Sequence, residues 1–422
     1  VTPPAGGFAA GSLADFFGIP VGVENIEVNA LPFRAYNLCY KEWFQDQNND
    51  QPRAINKGDG PDDANDYPMF LRYKRHDYFT SALPWPQKGE ATNLPISGTA
   101  PVTGIAKQIN QTFAPTGTTG YETGASASRI LGPASTIDVT DPNGTFAIEE
   151  DPSNPGFPNV WAQLDEAIGP TVNEWREAFQ LQKMLERDAR GGTRYVEILQ
   201  SHFNVTDPAH AVLQRPEYIG GGSTPIIIDA VAQTTPTDIV PDVTPQGNLA
   251  GVGYSFSNGV GFNKSFTEHG MVLGVMSCRQ DLTYQRGLNK MFSRQTRYDY
   301  YFPSLAHLGE QAILSKELWA DGTAADENVF GYQERWAELR YKPSIVTNAM
   351  RSTHPLSLDI WHLAQDFETR PILNNSFLRE QPPIDRISAV QDQDHFKFDG
   401  FFEMSCARPL PMYSVPGLID HF

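Results

Sequence analysis

The chain is poor in charge. Of its 422 residues only 19% are Asp, Glu, Lys or Arg, and a soluble monomer ordinarily dresses its surface with more. Much of the surface is therefore expected to meet other protein. Cysteine is scarce too. Cys39, Cys278 and Cys406 lie far apart and form no C-x-x-C pair. This leaves a metal knuckle or dithiol centre unsupported and fits a chain made in a reducing cytoplasm. No apolar run approaches the roughly 20 residues that span a bilayer. The opening, VTPPAGGFAAGSLADFF, lacks the basic region of a secretory signal. Catalytic signatures are missing as well. H-E-x-x-H, G-x-x-x-x-G-K-[ST] and G-x-S-x-G do not occur, so zinc-protease, phosphate-loop and nucleophile-elbow chemistry has no footing.

What is present points to a loop-rich β protein. Gly (35) and Pro (33) are abundant and aromatics reach 11%, which suits short strands, long connections and packed interfaces. Fifty acidic residues against 32 basic ones give a net charge of −18. A surface that grips nucleic acid everywhere needs the opposite sign. One basic inner face remains compatible with that balance.

Along the chain, apolar spacing turns helical from Leu31, with Tyr36, Tyr40, Trp43 and Phe44 recurring at threes and fours. An acidic stretch over 46–66 follows. Its spacing is not that of an EF-hand, so a solvated loop is expected rather than a calcium site. Met69–Phe79 reads as a strand or extended chain, and Pro84 and Pro86 forbid regular structure after it. Residues 88–160 show only short alternating pieces, at Thr136–Val139 and Thr145–Ile148, and predict a functional loop with small hairpins. Thr171–Ala189 is the clearest helix, opened by capping-box spacing at Thr171 and Glu174 and stopped by Gly191-Gly192. A second short helix is expected over Tyr195–His202. Residues 215–262 read as loop. Met271–Cys278 is apolar on both faces and predicts a buried strand. Leu305–Trp319 and Asp359–Phe367 read as helical, Tyr332–Tyr341 fits helix or strand, and Phe396–Cys406 alternates like a final core strand.

Arg72, Lys74 and Arg75, interleaved with Tyr73, form the best basic–aromatic stretch and are candidates for single-stranded nucleic-acid contact. Arg187, Arg190 and Arg194 concentrate charge at a helix end and are candidates for assembly contacts, with local salt bridges as the plainer reading. His307 and Glu310 have the spacing of a metal pair on a helix, but ordinary polar residues are the better reading. No cofactor is implied. Abundant aromatics and acids also keep open a carbohydrate-binding or carbohydrate-active β-sandwich.

A long collinear series of segments carries a resemblance. It includes LPFRAYNLCYKEWFQDQN at 31–48, RHDYFTSALPWPQKG at 75–89, LERDARGGTRYVEILQSHF at 185–203 and RPEYIGGGSTPI at 215–226. It continues through PQGNLAGVG at 245–253, LTYQRGLNKMFSRQTRYDYYFP at 282–303, LAHLGEQAIL at 305–314, FGYQERWAELRYKPS at 330–344 and CARPLPMYSVPGLIDHF at 406–422. Together they resemble the major capsid protein of the Microviridae, in its gokushovirus branch. The resemblance implies a mainly β fold, a viral jelly-roll β-barrel with long loop insertions and a few short helices. It implies copies assembled into a small T=1 icosahedral shell around circular single-stranded DNA, a virion protein made in the bacterial host cytoplasm. Residues 1–87 and 166–422 would form the capsid core. Residues 88–165 match by position a surface insertion that builds a three-fold protrusion and meets a host receptor. The DNA genome and a small basic packaging protein are the other implied partners, with no membrane insertion. Family members carry a further N-terminal segment with the first barrel strands, so the resemblance also implies that those strands are missing here.

Overall fold

The computed structural model describes residues 1–92, 102–103, 119–120, 129–130, 161–162, 170–206, 215–232, 249–388 and 392–408. They fall into two compact units, Val1–Pro86 with Val205–Phe422, and Gln87–Asn204. Helices are α1 (Leu13–Phe16), α2 (Leu31–Cys39), α3 (Val172–Gly191), α4 (Tyr195–Phe203), α5 (Ser315–Leu318) and α6 (Asn375–Leu378). Strands are β1 (Val102–Thr103), β2 (Thr119–Gly120), β3 (Arg129–Ile130), β4 (Trp161–Ala162), β5 (Ile227–Ala232), β6 (Leu249–Tyr254), β7 (Glu310–Leu314) and β8 (Val329–Glu334). They pair antiparallel two by two, β1 with β4, β2 with β3, β5 with β6 and β7 with β8. No closed barrel forms among the described residues. The expected alternating pieces at Thr136–Val139 and Thr145–Ile148, and most of 88–165, lie outside the described residues.

In the first unit α2 starts where Asn29 Oδ1 accepts the Leu31 N–H at 2.9 Å and Pro32 fills the first turn, where a missing N–H costs nothing. Its Phe33 joins Phe8, Leu13, Ala14 and Tyr67 in a small core. Next to it, Arg34 grips Asp62 through Nε at 2.7 Å and Nη2 at 2.6 Å. Asn56 and Tyr67 donate to the same carboxylate. The Arg34 hydrogen bond, with that of Tyr67, holds Asp62 down at about 2. The acidic loop thus spends its side chains on local structure. Asp46 accepts from the Asn48 and Asn49 backbones, and Asp63 from that of Asn65.

The larger core of this unit lies around β7 and β8. Ile313 is fully buried there with Tyr78, Phe79, Leu318, Phe330 and Phe377. Leu83 exchanges two backbone hydrogen bonds of 2.8 Å with Tyr332, laying the chain before Pro84 along β8. Gly331 permits this approach, since a Cβ there would come within 3.0 Å of the Ala82 Cβ. The helix expected over Leu305–Trp319 is corrected to a strand and a single helical turn. Gly309 takes a left-handed φ of 90° and breaks the pattern. Glu310–Leu314 then finds a partner in Val329–Glu334, and only Ser315–Leu318 coils, with Glu317 Oε1 accepting the Leu314 N–H at 3.0 Å. Just beyond, Arg370 reaches into the loop 321–326. Its guanidinium meets Asp321 at 2.6 Å, Asp326 at 2.7 Å and Ser315 Oγ at 2.8 Å, above the Trp319 ring.

Two expected core strands are corrected. Met271–Cys278 and Phe396–Cys406 form neither helix nor strand and join no ladder among the described residues. Their apolar side chains are open to solvent, Met276 at 64% and Phe401 at 91%. The pattern that predicts burial describes a strand flanked on both faces, and the described residues supply no flanking layer. Residues 215–262, expected as loop, contain the β5–β6 hairpin, and Asp359–Phe367 keeps only the 3-10 turn Asp359–Trp361.

In the second unit α3 carries the expected capping box, with Thr171 Oγ accepting the Glu174 N–H at 3.2 Å and Glu174 answering at 2.6 Å. Helix α4 folds back on it. Gly191 allows the crossing, because a Cβ there would lie 2.5 Å from the Ser201 Cβ. His202 Nε2 closes on Asp188 at 2.8 Å.

Two outcomes test this description. Ile313→Ala removes a side chain with no solvent exposure and is expected to cost about 2–5 kcal/mol in denaturant unfolding; a cost under about 1 kcal/mol contradicts the core assignment. Asp62 is held below its unfolded value of about 4, so its contribution is present above that pH. It is lost as pH falls from about 4 to about 2. Over that window the unfolding midpoint of Asp62→Asn is expected to fall less steeply than that of the native chain.

Candidate functional site

Helix α2 does not end cleanly. It winds through one π turn, Tyr40–Phe44, closed by the Gln45 N–H on the Tyr40 carbonyl at 2.8 Å. Such a turn re-aims the side chains it carries and recurs at functional sites. Here it fans out Tyr40, Trp43 and Phe44, and an arginine from elsewhere in the chain covers each. Arg53 lies 4.0 Å from the Phe70 centroid and 5.9 Å from that of Tyr40. Arg72 sits 4.5 Å over Phe44. Arg215 sits 4.1 Å over Trp43. The Trp43 Nε1–H donates to the Pro216 carbonyl at 2.7 Å and brings Tyr218 within 6.3 Å of the indole. Tyr40 anchors the turn from below, buried with its hydroxyl on the Leu71 carbonyl at 2.9 Å. The positive field is shared, since burial and the nearby Arg279 both lower Arg72.

The basic stretch at 72–75 divides. Arg72 and Arg75 reach the surface, and Arg75 pairs with exposed Asp281 at 2.7 Å, an ion pair of little energetic weight. Lys74 turns inward and is only 5% exposed. Its Nζ donates to Gln365 Oε1 at 2.8 Å and lies 4.3 Å from the Phe377 centroid. Burial lowers the Lys74 ammonium to about 8 and raises the Glu380 carboxyl beside it. Tyr73 spends its hydroxyl on Asp50 at 2.7 Å and Asn375 at 3.1 Å. Two of the four residues therefore work inside the protein.

Of the three arginines near the α3–α4 crossing, Arg194 binds Glu197 through Nη1 at 3.2 Å and through its own N–H at 3.1 Å, which caps α4. Arg187 is exposed and Arg190 partly buried. Glu310 opens β7, so His307 and Glu310 do not share a helix face. Among the described residues no group of three or more His, Cys, Asp or Glu is arranged to hold a metal, and no helix is long and apolar enough to cross a membrane. Sequence reasoning missed Trp43, Arg215 and Tyr218 as a group. They meet across 173 residues, and the signal available was the run of aromatics at 36–44 beside an RPEY segment.

A second surface feature is apolar. In the first unit Phe256, Met276, Phe398, Phe402 and Met404 are exposed outside any helix or strand, and in the second Val172, Trp175 and Phe179 are exposed along α3. Large apolar side chains exposed in such numbers on each unit are the kind that protein contacts cover. Aromatic and arginine side chains are the types that interfaces favour.

Comparison with known proteins agrees with that character. The family model described as Capsid protein (F protein) matches residues 1–418. Capsid protein VP1 of Bdellovibrio phage phiMH2K is 45% identical over 433 residues, covering 100% of this chain and 79% of the relative. Capsid protein VP1 of Chlamydia phage 1 is 38% identical over 475 residues, covering 99% and 79%. Capsid protein VP1 of Spiroplasma virus 4 is 37% identical over 442 residues, covering 99% and 78%. With its exposed aromatic surface and a match running nearly end to end, the chain belongs to the phage capsid protein (F protein) family.

Proposed function

We propose that the protein is the major coat subunit of a small single-stranded-DNA phage of the Microviridae type, structural rather than catalytic, resident in the virion. The family match across residues 1–418 carries this reading. The exposed apolar segments fit it physically, because a subunit that must touch several neighbours leaves interface surface open until it assembles. Closed symmetry then repeats a few complementary patches around each axis, and many modest contacts add up without any chemistry.

On this reading the shell is a T=1 icosahedron of gokushovirus type and the subunit completes a jelly-roll barrel. The exposed apolar side chains at Met271–Cys278 and Phe396–Cys406 support the barrel, since they call for a covering layer. Residues 88–165 form the three-fold protrusion and meet a host receptor. Single-stranded DNA and a small basic packaging protein are the interior partners. Of the basic stretch, Arg72 and Arg75 are the proposed DNA contacts, and Arg187 and Arg190 are proposed contacts with a neighbouring subunit, supported by the access each keeps to the surface.

The full-length gene product, expressed in bacteria and viewed by negative-stain microscopy, is expected to give small closed icosahedral shells. Finding only monodisperse monomer by light scattering at every concentration tried would overturn the reading. Particles whose subunits lack residues 93–160 are expected to assemble but to lose adsorption to cells that intact particles infect. Unchanged adsorption would remove the attachment role.

A further inference from the structure

In a chain with 50 acidic residues against 32 basic ones, arginines find carboxylates easily. Arg34, Arg286, Arg294, Arg340, Arg370 and Arg386 all do so. Arg53 and Arg215 do not. Each lies over an aromatic ring, and among the described residues no carboxylate pairs with either. Arg72 follows the same rule, with the Phe44 ring below it and, among the described residues, the Ser277 hydroxyl at 3.5 Å and no carboxylate beside it. Around the π turn three arginines therefore keep positive charge that no carboxylate among the described residues pairs with. The chain also keeps an aromatic face open. The Trp43–Pro216 hydrogen bond suffices to tie the two segments together, yet Tyr218 stands beside it 67% exposed.

We infer that this patch is a stacking site for single-stranded nucleic acid. Tyr218, with the rim of Trp43, offers a face for a base, and Arg215, Arg72 and Arg53 offer guanidinium groups for the flanking phosphates. The chemistry matches how sequence-tolerant single-strand sites work, with aromatic platforms for bases and basic side chains along the backbone. Guanidinium groups already flattened on rings lose little further freedom when a phosphate arrives. The site lies apart from the basic stretch at 72–75 that the sequence suggests, sharing only Arg72 with it. The inference rests on the coat-protein reading for the class of partner. The competing occupant of an exposed tyrosine is a strand of a second copy.

The test is fluorescence anisotropy of a dye-labelled oligothymidine of about 20 nucleotides, a length that spans a typical site, titrated at low salt with the full-length protein. A strand of equal length built from abasic phosphodiester units is titrated beside it. Tyr218→Ala is the main variant, because an exposed side chain can be removed without touching a core. Tyr218→Phe is its conservative partner. Tyr218→Ala is expected to weaken oligothymidine binding about tenfold, the size of one base–aromatic stack. Tyr218→Phe should bind like the native chain, and the abasic strand should not distinguish the three proteins. Equal binding of oligothymidine by the native chain and Tyr218→Ala would overturn the inference, as would equal binding of thymidine and abasic strands by the native chain. Lost particle formation in Tyr218→Ala with unchanged oligothymidine affinity would assign the tyrosine to a neighbouring subunit instead. Shell formation by the native chain is scored separately by microscopy, so failure of the stacking site and failure of the coat reading give different results.

Discussion

A backbone N–H or C=O group must find a partner, and water serves only at the surface. That constraint governs this subunit. Where the chain pairs with itself, as β7 does with β8, side chains close over it and Ile313 leaves water altogether. Where no ladder partner lies among the described residues, as at Met271–Cys278 and Phe396–Cys406, the apolar side chains stay exposed. Unpaired backbone can template further pairing. Proteins that remain alone suppress this pairing with charge, and this chain is sparing with charge. A chain of the phage capsid protein family is one built to meet other copies, and exposed apolar surface is consistent with that.

Arginines in this chain meet carboxylates, rings, or, like Arg370, both. Those bound to carboxylates hold segments in place. Arg34 with Asp62 fixes α2 against the loop before Tyr67, and Arg294 meets Glu338 beside the β7–β8 core. At the π turn Arg53, Arg72 and Arg215 lie over rings, and among the described residues no carboxylate pairs with them. Pairing with a carboxylate cancels the positive charge, whereas stacking on a ring preserves it. In so acidic a chain, where the charge is preserved says more about partners than the net value does.

Local signals were legible in the sequence and long-range ones were not. The capping box at Thr171 and Glu174 and the Gly191-Gly192 stop lie within a few residues of the helix they bound, and α3 follows them closely. Pairing of Glu310 with Glu334 depends on residues far along the chain, so the apolar spacing at 305–319 suggested a helix that Gly309 and a distant strand replace. The stretch at 72–75 shows the same limit from the other side. Composition marks it as basic and aromatic, but only the bridge between Tyr73 and Arg379 turns Lys74 inward. Burial of Met271–Cys278 was misread because hydrophobicity records a need for cover without naming what supplies it.

The loop 321–326 contains two carboxylates that converge, an arrangement that in many proteins waits for a metal ion. Here Arg370 occupies the converging point and is held there by Ser315 and the Trp319 ring. The loop brings its own counterion, covalently tethered and unable to diffuse away. The shape of this loop therefore depends on no dissolved divalent ion, because the cation at its centre is part of the chain.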